Sequence, residues 1–321
     1  MRIPRIIISI SFCLLLPVCV SCSKIESPPS SAQTLSEADQ RFLKICQEET
    51  ELNPITKSYP HTLWIYLPTD KRLIDYKSTK DGPTKSKNFS EKLTINYLDA
   101  YFSENTFFIE YDIRKTINYP MSYGYTSIYT DDYQDIQNQI LTSLHRAYSG
   151  LGLDTENNAD APTERPPNFV VLTVSDVKTG LEIVSLFNYE DFKRAMTDPN
   201  SMPQDEFAKR NISELKGHDS IIEDTSGQHI EYKDIQWPEF LAKQILQRVR
   251  FKYQHSDFKP GEDAEEEIMT IVSETIQAYH FANFQAVKLY NLQTNTPFKF
   301  DRSQLATFGS LSNPYQNLPG L

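Results

Sequence analysis

Glycine is scarce, 10 in 321 residues, which argues against the Gly-rich loops that let a backbone wrap a phosphate. No Gly-x-Ser-x-Gly elbow and no His-Glu-x-x-His pair occurs, and beyond residue 22 there is no Cys-x-x-Cys. The sequence therefore assigns no catalytic residue and no cofactor. Basic charge is also in short supply: 32 Lys and Arg stand against 43 Asp and Glu, a net charge of −11. A nucleic-acid partner is disfavoured, because phosphate neutralisation needs clustered cations. Docking on anionic head groups by charge alone fails on the same ground. Aromatic residues, by contrast, are plentiful, with 18 Tyr and 18 Phe. That is enough to build a core.

Long apolar runs are missing except at the start. Arg2 and Arg5 precede an apolar stretch from Ile6 to Val20, interrupted by Ser9, Ser11 and Pro17. A membrane span needs about 20 apolar residues, so this segment has the dimensions of a signal peptide. It ends Val18-Cys19-Val20-Ser21-Cys22. A small residue before a Cys, after aliphatic residues, resembles the lipobox of bacterial lipoproteins, with Cys19 at the place where Leu is usual. The resemblance covers residues 1–22. It implies removal of residues 1–21, a covalent diacylglycerol on the Cys22 thiol and an acylated new amino terminus. Ser23 follows the Cys, and in a two-membrane bacterium that implies an outer-membrane anchor facing the periplasm. Loss of Arg2 and Arg5 would take the net charge from −11 to −13. Cys46 would then be the one cysteine not acylated. It lies near Phe42 and Leu43 on an expected helix and reads as a small buried hydrophobe.

Residues 22–33, with Ser27-Pro28-Pro29-Ser30-Ser31, read as the lipidated Cys and a flexible tether. The parts that follow are 34–153, an acidic Pro-rich loop or linker at 154–167, and 168–321, which need not be a separate domain from 34–153. Thr34 and Glu37 predict a capping box opening a helix to about Leu52. Strands are predicted at Thr62–Leu67 with Leu73–Tyr76 returning, and as a hairpin Leu93–Tyr101 with Thr106–Ile113. Helical spacing marks Tyr133–Tyr148, with Gly150 as its cap. Another hairpin, Phe169–Val174 with Leu181–Phe187, precedes helices at Tyr189–Met196, Gln204–Leu215, Trp237–Val249 and Glu262–Phe281. A repeat at an offset of 115 residues aligns Asn168-Phe169 with Asn283-Phe284 and Thr179-Gly180 with Thr294-Asn295. It predicts turns at Gly180 and Asn295 and burial of Phe169 and Phe284. The expected fold class is α+β: a largely antiparallel sheet of β-hairpins, each preceded by an amphipathic helix that packs on the sheet.

Three clusters are candidates for chemistry or binding. His218-Asp219, Glu223-Asp224, His229 and Glu231 combine imidazole and carboxylate, which zinc and acid–base sites both use. Their spacing matches no ligand motif, so His218, His229 and Glu231 are weak metal candidates on an expected solvated hairpin. Removal of both histidines would then change stability little. Asp131, Asp132 and Asp135 stand at a helix start, where carboxylates serve the free N–H groups. Tyr119, Tyr123, Tyr125 and Tyr129, followed by Tyr133, offer apolar faces with hydroxyl tips, as binding surfaces do. Two functional readings follow. One is a non-catalytic, lipid-anchored envelope protein that binds or scaffolds an envelope protein or glycan. The other is an extracytoplasmic hydrolase or metal-dependent enzyme using the His218–Glu231 region. Clustering of that region around one cavity would favour the enzyme.

Overall fold

The computed structural model describes residues 35–79, 90–118, 124–148, 165–254, 264–305 and 308. Cys22, Tyr119, Tyr123, Gly150 and most of 154–167 lie outside these residues. The chain runs α1 (Glu37–Glu49), β1 (Ile55–Ser58), β2 (Thr62–Thr69), β3 (Ile74–Thr79), β4 (Ser90–Ser103), β5 (Thr106–Asn118), β6 (Gly124–Tyr129) and α2 (Asp131–Tyr148). It continues β7 (Phe169–Asp176), β8 (Leu181–Asn188), α3 (Tyr189–Thr197), α4 (Gln204–Arg210), β9 (Ile212–Gly217) and α5 (Trp237–Gln254). Last come α6 (Ala264–Ala278), β10 (Ala286–Asn291), β11 (Thr296–Asp301) and α7 (Arg302–Leu305). Among the described residues, no helix is long and apolar enough to cross a membrane.

The fold is mixed α+β, with several helices packed against three sheets. One sheet has the order β1-β2-β7-β8-β9, the second β11-β10-β5-β4, and β3 pairs with β6 alone. The central strand β7 is buried at all eight positions, which is why its sequence is a nearly continuous apolar run. Its alternate residues feed two cores. Val170, Leu172 and Val174 pack with Phe42 of α1 and Ile140 and Leu144 of α2. Phe169 and Val171 face Phe240 and Ile245 of α5, in a core shared with α6 and the second sheet.

One expectation about pairing is corrected. Ile74–Thr79 does not return along β2 but pairs with β6, and β2 lies between β1 and, in parallel, β7. Strand β10 likewise runs parallel to β5. Six of the eight strand pairings are antiparallel, as expected, and one parallel pairing in each larger sheet makes those two sheets mixed. Strands from both sides of 154–167 are therefore joined within each larger sheet, at the parallel pairings β2–β7 and β10–β5. Nearby strands pair by default, but a strand apolar on both faces must sit centrally, and β7 takes that place beside β2.

A second correction concerns Gln204–Leu215, which is helical only to Arg210. Asn211 turns the backbone to an extended conformation, and β9 completes the ladder along β8. The first capping box is Ser36 with Asp39 rather than Thr34 with Glu37.

The hairpins β4–β5, β7–β8 and β10–β11 form as read. Gly180 and Asn295 close their turns at φ +71° and +52°, and Phe169 and Phe284 are buried. Asp176 accepts from the N–H groups of Lys178 and Thr179, and Asn291 from those of Gln293 and Thr294. Val177 N–H donates to the Thr69 carbonyl and Leu292 N–H to that of Tyr111. Each turn is thus pinned to the strand parallel to it.

Candidate functional site

The site is built on the face of the first sheet that looks toward α5. Strand β8 leaves its turn at Gly180 and places Glu182 opposite Ser175 of β7. Alternation turns Ile183 to the other core, so Glu182 faces inward here. Its side chain is 7% exposed. After β9 the chain crosses this face as a strap. His218 N–H donates to the Gly180 carbonyl and Glu223 N–H to that of Val177, which ties the strap to the β7–β8 turn. A 3-10 turn, Asp219–Ile221, is capped by the His218 side chain.

The tight turn after it is organised by one carboxylate. Asp224 Oδ1 accepts from Ser226 N–H, Ser226 Oγ and Gly227 N–H, while Oδ2 accepts from His229 N–H. Tyr66 OH donates to the Asp224 carbonyl. Farther on, Trp64 Nε1 donates to the Lys233 carbonyl at 2.7 Å. Asp234 accepts from His61 N–H and the Thr62 hydroxyl, and that hydroxyl accepts from Ile235 N–H. Residues 218–236 are therefore fastened along their whole length, mostly to β2. The expected solvated hairpin is not formed.

His229 lies at the centre. Its Nδ1 is 2.6 Å from Asp224 Oδ2 and its Nε2 is 2.8 Å from Glu182 Oε2. Both ring nitrogens can donate only when the ring is an imidazolium. Burial opposes that charge, but the hydrogen bonds and fields of Asp224 and Glu182 outweigh it and raise the pKa of His229. Burial also works against the Asp224 carboxylate, and bonds from His229 and Ser226 nevertheless hold it well below its usual range. The edge of the Tyr66 ring closes the pair, its centroid 5.6 Å from that of His229. Burial, with two carboxylates nearby, pushes the Tyr66 hydroxyl up to about 12.

Beside this cluster is a cavity of about 480 Å³. Trp64, Val171, Val184, Leu186, Ile212 and Ile235 give it apolar walls, with Thr173, Glu182 and His229 among its polar lining. Glu214 and Lys216 pair at 3.7 Å, and Lys233 and Glu239 at 2.6 Å, among its charged residues. Lys243 and Glu231 also line it.

The three metal candidates His218, His229 and Glu231 all line this one cavity, the clustering expected of the enzyme reading, yet among the described residues they do not form a metal centre. His229 has both nitrogens engaged. His218 Nδ1 accepts from Ser220 N–H at 3.0 Å, which leaves the neutral ring its proton on Nε2. Among the described residues, no group of three His, Cys, Asp or Glu side chains is placed to hold a metal ion. Glu182 is the partner that sequence reasoning missed. Its signal is the lone charge in the apolar strand Leu181-Glu182-Ile183-Val184-Ser185-Leu186-Phe187.

The tyrosine cluster is only partly described. Tyr125 is opposite Ser78 in the β3–β6 pair. Tyr129 is exposed, with its ring 5.0 Å from that of buried Tyr133. At α2 the cap is the Thr130 hydroxyl, which accepts from Tyr133 N–H. Asp131 and Asp132 fill the first turn, and Asp132 pairs with Lys71. Cys46 is fully buried, and burial pushes its thiol up to about 11. Comparison with protein-family models, curated proteins and solved structures finds no match for the chain.

Proposed function

We propose that the chain is a lipid-anchored protein of the bacterial envelope that binds a ligand in the cavity beside His229 without transforming it. The observation that carries this reading is that neither cavity histidine offers a free lone pair. His229 is clamped between two carboxylates, and the Nδ1 lone pair of His218 is taken by Ser220 N–H. A histidine that acts as general base or zinc ligand needs that lone pair. An apolar wall with a few polar groups is what a small-molecule site requires. The matched turns at Gly180 and Asn295 support reading α2–β7–β8 and α6–β10–β11 as two copies of one helix–hairpin unit. The anchor places the site in the envelope, facing the periplasm in a two-membrane bacterium.

Two experiments test this. A library of small molecules screened by thermal shift should contain compounds that stabilise the wild type and leave Val184→Phe, which fills the cavity, unchanged. Chemical turnover of such a compound, lost in His229→Gln, would overturn the binding reading in favour of the hydrolase. For the anchor, Cys22→Ser should leave residues 1–21 attached and abolish acylation, seen by intact mass. Unaltered processing and membrane retention of that variant would remove the lipoprotein assignment.

A further inference from the structure

We propose, on the strength of the binding reading above, that the cavity takes an organic amine: an apolar body whose ammonium group sits on Glu182. Glu182 Oε2 already accepts from His229 Nε2 and from the Ser175 hydroxyl. Oε1 has no hydrogen-bond partner among the described residues, although the side chain is 93% buried. Glu182 lines the cavity, so the donor to Oε1 comes from there: water in the free protein, or a ligand group that displaces it. Thr173, buried on the neighbouring strand, puts a hydroxyl on the same lining.

Charge selects the donor. The imidazolium of His229 is shared by Asp224 and Glu182, so the three groups together keep one negative charge. Elsewhere in the lining Glu214 is matched by Lys216 and Glu239 by Lys233, while Glu231 and Lys243 balance in the sum of charges only. The surplus negative charge is therefore that of the Asp224–His229–Glu182 cluster, and Glu182 is its carboxylate on the cavity lining. Apolar walls strengthen its field by excluding water. A neutral hydroxyl would satisfy the hydrogen bond but not the charge, and an anion would be repelled. The body is set by the walls, whose eight apolar side chains offer nothing polar to a ligand except the Trp64 N–H, already bonded to Lys233. The volume lies within the ~300–1,000 Å³ usual for small-ligand sites.

Three probes of one shape separate the possibilities: cyclohexylmethylamine, cyclohexylmethanol and cyclohexanecarboxylate. They would be titrated calorimetrically into the full-length processed protein in detergent, with detergent alone as the blank. The amine should bind at least tenfold more tightly than the alcohol, and the carboxylate more weakly than either. Glu182→Gln should reduce the amine to the affinity of the alcohol, and Lys243→Met should leave the amine preference intact. Because Glu182→Gln also loosens His229, its fold is checked by its affinity for the alcohol. If that variant does not fold, the order of the three probes on the wild type decides alone. Equal binding of amine and alcohol, both lost in Val184→Phe, would overturn the amine while sparing the cavity reading. So would preference for the carboxylate, or an amine preference that survives Glu182→Gln. Absence of binding by all three probes would overturn both.

Discussion

His229→Ala should lower the unfolding free energy by about 3–5 kcal/mol, the usual cost of stranding a buried charge by deleting its partner. For a chain of this size that is of the order of 10 °C in melting temperature. The cost arises because Glu182 and Asp224, 7% and 10% exposed, would face each other with no cation between them. The His229 side chain, itself 7% exposed, would also leave a void under Tyr66. Chemical denaturation of wild type and variant measures the difference directly. A loss below 1 kcal/mol would restore the expectation, drawn from sequence, that this histidine lies on a solvated hairpin. His218→Ala, which removes an exposed cap, should cost no more than about 1 kcal/mol.

The same comparison has a defined pH dependence. The pKa of His229 is raised from its ordinary 6.5, so its contribution is complete below about 6.5 and fades as pH rises through the higher folded value. Asp224 is lowered from 3.8, so its contribution is complete above about 3.8 and fades as pH falls through the folded value. The gap between wild type and His229→Ala should therefore be widest between about pH 4 and 6.5 and narrow on either side. A gap that widened steadily above pH 7 would contradict the imidazolium.

What was legible in the sequence was what neighbouring residues decide. Gly180 and Asn295 announce their turns because positive φ favours those residue types, and Glu104-Asn105 turns β4 into β5 at positive φ. Amphipathic spacing located α2 and α5 for the same local reason. Pairing across distance was not legible. Nothing near Thr62 states that its partner is Phe169, and β3 gives no sign of preferring β6 to the adjacent β2. Asn211 was the weak point of an apparently continuous helical run, and one extended residue there was enough to create β9. The site failed to show for a related reason. His229 and Asp224 are five residues apart and stand in one segment, but Glu182 lies 47 residues earlier. A solvated loop and a strap buried against β2 have the same polar composition; what distinguishes them is the strand face they lie on.

Gly227→Ala is the second large effect, expected at about 2–4 kcal/mol from backbone strain and overpacking together. Gly227 has φ +72°, where an L side chain is strained. An added Cβ would also lie 2.3 Å from the Tyr232 hydroxyl and 2.9 Å from Tyr66 Cδ1. Neither ring can easily withdraw. Tyr66 is fully buried and donates to the Asp224 carbonyl, and Tyr232 packs edge-on against Trp64 with Lys57 over its face. The turn must therefore lift, and it carries the Gly227 N–H that Asp224 Oδ1 accepts. Lifting it weakens the carboxylate that holds Nδ1 of His229. Gly217→Ala is the control: its Cβ would meet the flexible end of Leu181 at 3.2 Å, a contact that side chain can relieve. The imidazole proton resonances of His229 should shift or broaden in Gly227→Ala and stay in place in Gly217→Ala. Equal stability of the two variants would mean that the turn does not hold the strap, and that the Asp224–His229–Glu182 cluster is kept by the Trp64 and Thr62 contacts alone.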